Sequence, residues 1–130
     1  MDRRTSLIAA VTLAAGAATA AEKKSPQSAG GIKVTVLYGH PKSPEDFEKY
    51  YFGTHMPLVL MAKGGKRTET SLCPPAPDGS PAPYYRIFEI WFDGQEDMTA
   101  ITATPEWKKV VADVPNFATG GITRVMSKLD

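Results

Sequence analysis

The chain has 130 residues, with 15 Lys and Arg against 14 Asp and Glu, two His and one Cys. That length is one domain's worth, and 42% hydrophobic with 22% charged residues is the profile of an ordinary folded chain, not a disordered or fibrous one. Near-balanced charge gives no electrostatic case for nucleic acid. The lone Cys73 excludes an intramolecular disulfide and a thiolate metal cluster, and His40 and His55 alone cannot build a histidine-rich metal site.

The first residues read as an address. Met1-Asp2-Arg3-Arg4 is a basic start, Leu7 to Ala18 is apolar or small apart from Thr12, and Ala18-Thr19-Ala20 is a small-x-small cleavage pattern. This is the layout of a secretory leader over residues 1–20, cut before Ala21. The alternative, an ordinary N-terminal helix, lacks an amphipathic stripe. The apolar run of about 12 residues falls short of the ~20 that span a bilayer, so no membrane anchor is expected after cleavage. Arg3-Arg4 followed by Leu7-Ile8 resembles a twin-arginine signal, with Ser6 where Phe is usual. The expectation is an exported, periplasmic protein. Residues 21–31, polar with Pro, Ser and Gly, read as a flexible lead-in, and 32–130 as the folded domain.

Ile32 to Tyr38 alternates, with Ile32, Val34, Val36 and Tyr38 on one face, and predicts a strand. Ser43 as cap, Pro44 in the first turn and the acidic Glu45 and Asp46 start a helix. Its apolar face follows Phe47, Tyr50, Tyr51, Thr54 and Leu58; Pro57 is expected to break or kink it around Thr54 to Met56. Lys66 to Cys73 is a weakly patterned second strand, and Pro74 to Pro83 an irregular loop. Tyr84 to Phe92, hydrophobic on both faces, predicts a central strand. Asp93-Gly94-Gln95-Glu96 has capping-box spacing for a second helix, which restarts at Thr104-Pro105 and runs to Pro115. Ile122 to Leu129 completes the set as a fourth strand.

The order β-α-β-β-α-β predicts an α+β, ferredoxin-like fold: a four-stranded antiparallel sheet with both helices on one face. Apolar residues on both sides of the first and third strands leave a large greasy helix-free face in a monomer. A two-fold homodimer, sheet against sheet, covers it.

The string KVTVLYGHPKSPEDFEKYYFGTHMPLV (Lys33 to Val59) resembles the opening of the EthD family, named for ethyl tert-butyl ether degradation. PYYRIFEIWFD (Pro83 to Asp93) and TPEWKKVVADVPNFATGG (Thr104 to Gly121) resemble its later segments. The most specific piece is Tyr50, Tyr51, Thr54, His55, Pro57 and Leu58, with Asn116-Phe117 downstream. The resemblance implies a dimeric α/β barrel, a ligand pocket within each protomer between sheet and helices, and a reductase-type oxidoreductase label. Other members of the superfamily are cofactor-free monooxygenases, isomerases and cyclases, and some haem enzymes. The leader departs from the family's usual pattern.

His55 is the foremost chemical candidate. It follows Tyr51 by four residues, can share its helix face, and titrates near neutral pH; the bland reading is a histidine bonding a carbonyl freed at the kink. Tyr50 and Tyr51 can donate to a carbonyl or enolate, or be core. Glu89, inside YYRIFEIWF, is expected to orient His55 or act as acid or base if buried; the bland reading pairs it with Arg86 or a Lys on the sheet. His55, Tyr51 and Glu89 are thus the catalytic candidates. Tyr38, His40, Tyr50, Thr54, Phe88 and Trp91 are candidate substrate contacts. No phosphate loop, dinucleotide fingerprint or haem-attachment motif is present, so no cofactor and no metal enter the reading. The function expected is a cofactor-independent oxidoreductase- or isomerase-like enzyme acting on a small apolar or aromatic carbonyl compound. The rivals are a non-catalytic binding module or an accessory protein for such compounds.

Overall fold

The computed structural model of the protein describes residues 30–130; the expected leader and the lead-in up to residue 29 lie outside them. Gly30 and Gly31, expected to be loose, are tied to the last strand: Gly30 N–H donates to Leu129 O, and Gly31 O accepts from Leu129 N–H at 2.9 Å.

Strand β1 (Ile32–Tyr38) leads to helix α1 (Pro44–Tyr50), a wide turn over Tyr51–His55, and helix α2 (Met56–Ala62). Strands β2 (Arg67–Leu72) and β3 (Arg86–Phe92) follow. Then come helices α3 (Gln95–Thr102) and α4 (Pro105–Asp113), a 3₁₀ turn (Val114–Asn116) and strand β4 (Ile122–Lys128). The sheet order is β2-β3-β1-β4 and every pairing is antiparallel. This is the ferredoxin-like α+β arrangement expected, with β3 central.

Local chemistry sets the element starts. Ser43 Oγ accepts from Asp46 N–H at 3.2 Å, and Thr104 Oγ1 from Trp107 N–H at 3.2 Å; each is followed by Pro in the first helical turn. At α3 the cap residue is Gly94, not Asp93; Asp97 reaches back to accept the Asp93 N–H instead.

Pro57 does not break its helix. The Met56 N–H reaches back five residues to Tyr51 O, and α2 continues to Ala62. Proline lacks an N–H and collides with the carbonyl four residues earlier; a widened turn before it relieves both problems. The extra residue also shifts the buried stripe. The apolar face expected through Thr54 and Leu58 runs instead through His55 and Val59, which are buried, while Thr54 is exposed.

The core lies between the sheet and the helices. Ile32, Val34, Tyr38, Phe88, Ile90 and Phe92 face Phe47, Tyr51, Val59, Met98, Val110 and Phe117. The opposite sheet face is not the greasy surface expected. Glu89 there binds Lys33 Nζ at 3.2 Å, Arg67 pairs with Glu69, and Trp91 is buried beneath Arg67, 4.4 Å from its ring centre, and Lys33. The stems of two cations cover the indole, so this face is amphipathic.

Candidate functional site

The wide turn aims the His55 imidazole inward, where it is 3% exposed. The ring lies against Phe117 at 4.5 Å between centres and against Tyr51 at 5.7 Å. Its Nδ1 meets Asp113 Oδ2 at 2.9 Å. Asp113, at the end of α4, is also buried, and its Oδ1 accepts from the Tyr50 hydroxyl at 2.6 Å and from Asn116 Nδ2 at 3.0 Å. One carboxylate thus gathers three donors: Tyr50 at the end of α1, His55 at the end of the wide turn, and Asn116 in the 3₁₀ turn that follows α4.

Burial alone pushes the Asp113 carboxyl up, but the hydrogen bonds from Tyr50, Asn116 and His55 outweigh it and hold the group below its ordinary value. Burial lowers the His55 imidazole, and the pull of Asp113 only partly offsets this. The Asp113 hydrogen bond raises the Tyr50 phenol. At neutral pH the consistent assignment is an ionised Asp113 accepting Nδ1–H from a neutral His55. Nε2 then carries the lone pair, and it has no hydrogen-bond partner among the described residues. An imidazole oriented in this way is equipped to act as a general base.

A second network lies toward β2 and β3. Arg86 is buried, donates to Glu48 Oε1 at 2.8 Å and to Thr70 Oγ1 at 3.1 Å, and lies over the Tyr51 ring. The Tyr51 hydroxyl shares Thr70 Oγ1 at 2.9 Å, and Tyr85 OH donates to Glu48. Tyr51 and Tyr38 are fully enclosed, and burial raises both phenols.

Between the sheet and α4 lies a cavity of about 620 Å³, within the usual range for ligand sites. Its floor is Val34, Val36, Phe88, Ile90 and Phe92; its wall is Trp107, Val110, Val114 and Pro115; its mouth carries Val111, Ile122 and Arg124. The opening exists because no helix covers β4, whose Ile122 and Met126 remain about half exposed.

Of the residues singled out from sequence, the structure brings His55, Tyr50 and Tyr51 together and puts Phe88 in the cavity floor. It does not place His55 or the tyrosines in the cavity wall. Phe117 packs its ring on the imidazole, while its chain neighbours Pro115 and Ala118 line the cavity. Glu89 cannot orient His55, because alternation puts it on the opposite sheet face against Lys33; Asp113 takes that position. Trp91 shares that far face and so is no cavity contact. Thr54 is exposed. His40 Nε2–H donates to Ala82 O at 2.6 Å and latches the proline loop. Tyr38 is core, with Phe47, Tyr51 and Phe117 around it.

Sequence reasoning missed Asp113 and Arg124, and took Asn116 only as part of the family motif. The signal for Asp113 was present: an acid three residues after Val110 and four before Phe117 lies on the apolar face of its helix. Among the described residues, no three His, Cys, Asp or Glu side chains cluster as a metal site, and no helix is long and apolar enough to cross a membrane.

Similar proteins share this framework. An uncharacterized 11.0 kDa protein from the thcB-thcC intergenic region of Rhodococcus erythropolis is 34% identical over 95 residues, covering 73% of this chain and 91% of its own length. The crystal structure of an EthD-family protein from Bacillus halodurans superposes with TM-score 0.70 at 25% identity, covering 77% of this chain and 99% of that one. At 15% identity, where only the fold is shared, a dimeric ferredoxin-like protein from Thermobifida fusca gives TM-score 0.60 over 78% of this chain and 92% of that one. The same fold serves a hydroxynitrile lyase from Passiflora edulis (13% identity, TM-score 0.60, covering 76% and 94%). It also serves SnoaB, a cofactor-independent oxygenase from Streptomyces nogalater (12%, TM-score 0.54, 77% and 93%). The EthD domain model matches residues 40–121, and with the Rhodococcus relative this shows that the chain belongs to the EthD family.

Proposed function

We propose that this chain is an exported, homodimeric enzyme of oxidoreductase or isomerase type that takes a small apolar or aromatic carbonyl compound into the sheet–helix cavity. The observation that carries the reading is the cavity itself: about 620 Å³, walled almost wholly by aliphatic and aromatic side chains. The chemical group beside it is the His55–Asp113 pair, with Tyr50 as the carboxylate's second donor. Nε2 would take a proton from the carbon next to the ligand's carbonyl, which requires the ligand to reach past the cavity lining to the imidazole. That the fold houses a lyase and a cofactor-independent oxygenase supports an enzymatic use. The dimeric neighbour supports a homodimer.

The second reading, a non-catalytic binding module, is favoured by the position of His55 outside the cavity lining. One experiment separates the two. A panel of aromatic ketones and aldehydes is screened for binding, and exchange of α-hydrogen for deuterium is followed by NMR. The enzyme reading expects exchange in the wild type that His55→Ala abolishes while binding persists. Binding with no exchange, or exchange indifferent to His55→Ala, overturns it in favour of the binding module.

A further inference from the structure

We infer that the cavity selects compounds joining an apolar body to a single carboxylate, with the Arg124 guanidinium as the anchor; this rests on the cavity being the ligand site. The β1–β4 register pairs Arg124 with Val36, and the β1–β3 register pairs Val36 with Phe88, so the three form one row across the cavity floor. The row ends in a cation at the exposed edge strand.

No Asp or Glu lines the cavity. The other polar side chain there, Thr102, already donates its hydroxyl to Met98 O at 2.8 Å. Arg86 also faces the helices, but Glu48 neutralises it. Arg124 has no ion pair among the described residues. A lone positive charge at the rim of an apolar, low-dielectric hollow concentrates its field there. Its forked N–H groups match the two oxygens of a carboxylate. The stem can lie along the floor while the head stays hydrated, so the unliganded state carries no buried unpaired charge. A ligand would therefore enter with its apolar body against Val36 and Val110 and its anion at the mouth.

The test uses naphthalene-2-carboxylate and its methyl ester, titrated into the protein at low salt while the methyl signals of Val36 and Val110 are followed by NMR. The carboxylate is expected to bind about tenfold tighter than the ester. Arg124→Gln should remove that preference and leave ester affinity unchanged, and Arg124→Lys should retain part of it. Arg124 is exposed on an edge strand, so these variants spare the core. An ester bound as tightly as the acid, or a preference surviving in Arg124→Gln, overturns the anchor while leaving the cavity as a ligand site. If neither compound moves the cavity methyls, the cavity reading falls and this inference with it.

Discussion

The helix-covered side of the sheet is built by two opposite rules. In one half Tyr38, Phe47, Tyr51, His55 and Phe117 pack ring against ring, and polar ties run through them: Tyr50 and His55 Nδ1 to Asp113, Tyr51 to Thr70, Arg86 to Glu48. In the other half, between β4 and α4, aliphatic walls stand apart around open space. Buried polar groups must find partners at fixed distances, so they pull their elements together. Aliphatic walls carry no such demand, and a hollow can persist where no helix covers the edge strand. The difference teaches that the imidazole–carboxylate pair belongs to the packed half and the open space to the other.

The sharpest way to break this contrast is Asp113→Ala. It strips the acceptor from Tyr50, His55 and Asn116 at once and should cost about 3 kcal/mol of stability. Chemical denaturation measures this, and a loss below about 1 kcal/mol would mean that polar ties do not hold the packed half. The open half should respond in the reverse manner. Val36→Phe fills the floor of the cavity and should change stability by no more than about 1 kcal/mol while abolishing ligand uptake. Unchanged uptake would show that ligands bind elsewhere.

The smallest effect concerns pH. Burial holds His55 below its ordinary value of 6.5, so around that pH the unfolded chain binds more protons than the native one. Its contribution is complete above pH 6.5 and is lost as pH falls through the folded value; Asp113, also lowered, acts in the same sense at more acid pH. Stability should therefore decline from pH 7.5 to 5, with at most about 1.4 kcal/mol per pH unit from one proton. His55→Gln should flatten that decline, and an unaltered slope would assign it to other groups.

Much of the fold was legible in the residues. Alternation located β1 from Ile32 to Tyr38, two-sided hydrophobicity marked β3 as central, and Ser43 and Thr104 announced their helices. The site was legible in part. Tyr50, Tyr51 and His55 came from a local motif, whereas Asp113 reaches His55 across 58 positions of chain, a separation no spacing rule spans. For Glu89 the catalytic reading failed and the pairing with a lysine on the sheet held, because a strand rich on both faces does not say which face meets the helices. Pro57 was misread because its penalty was absorbed one turn earlier, by a widening that propensity does not register.

That widening has a consequence for how the protein tolerates change. Phe52, Gly53 and Thr54 are all exposed, and a Cβ placed on Gly53 would meet open space. Their identities are therefore negotiable, but their number is not. Deleting any one of them would close the widened turn to ordinary helical pitch, and Pro57 would then collide with the carbonyl four residues before it. A one-residue gap at this point is therefore expected only together with replacement of the proline.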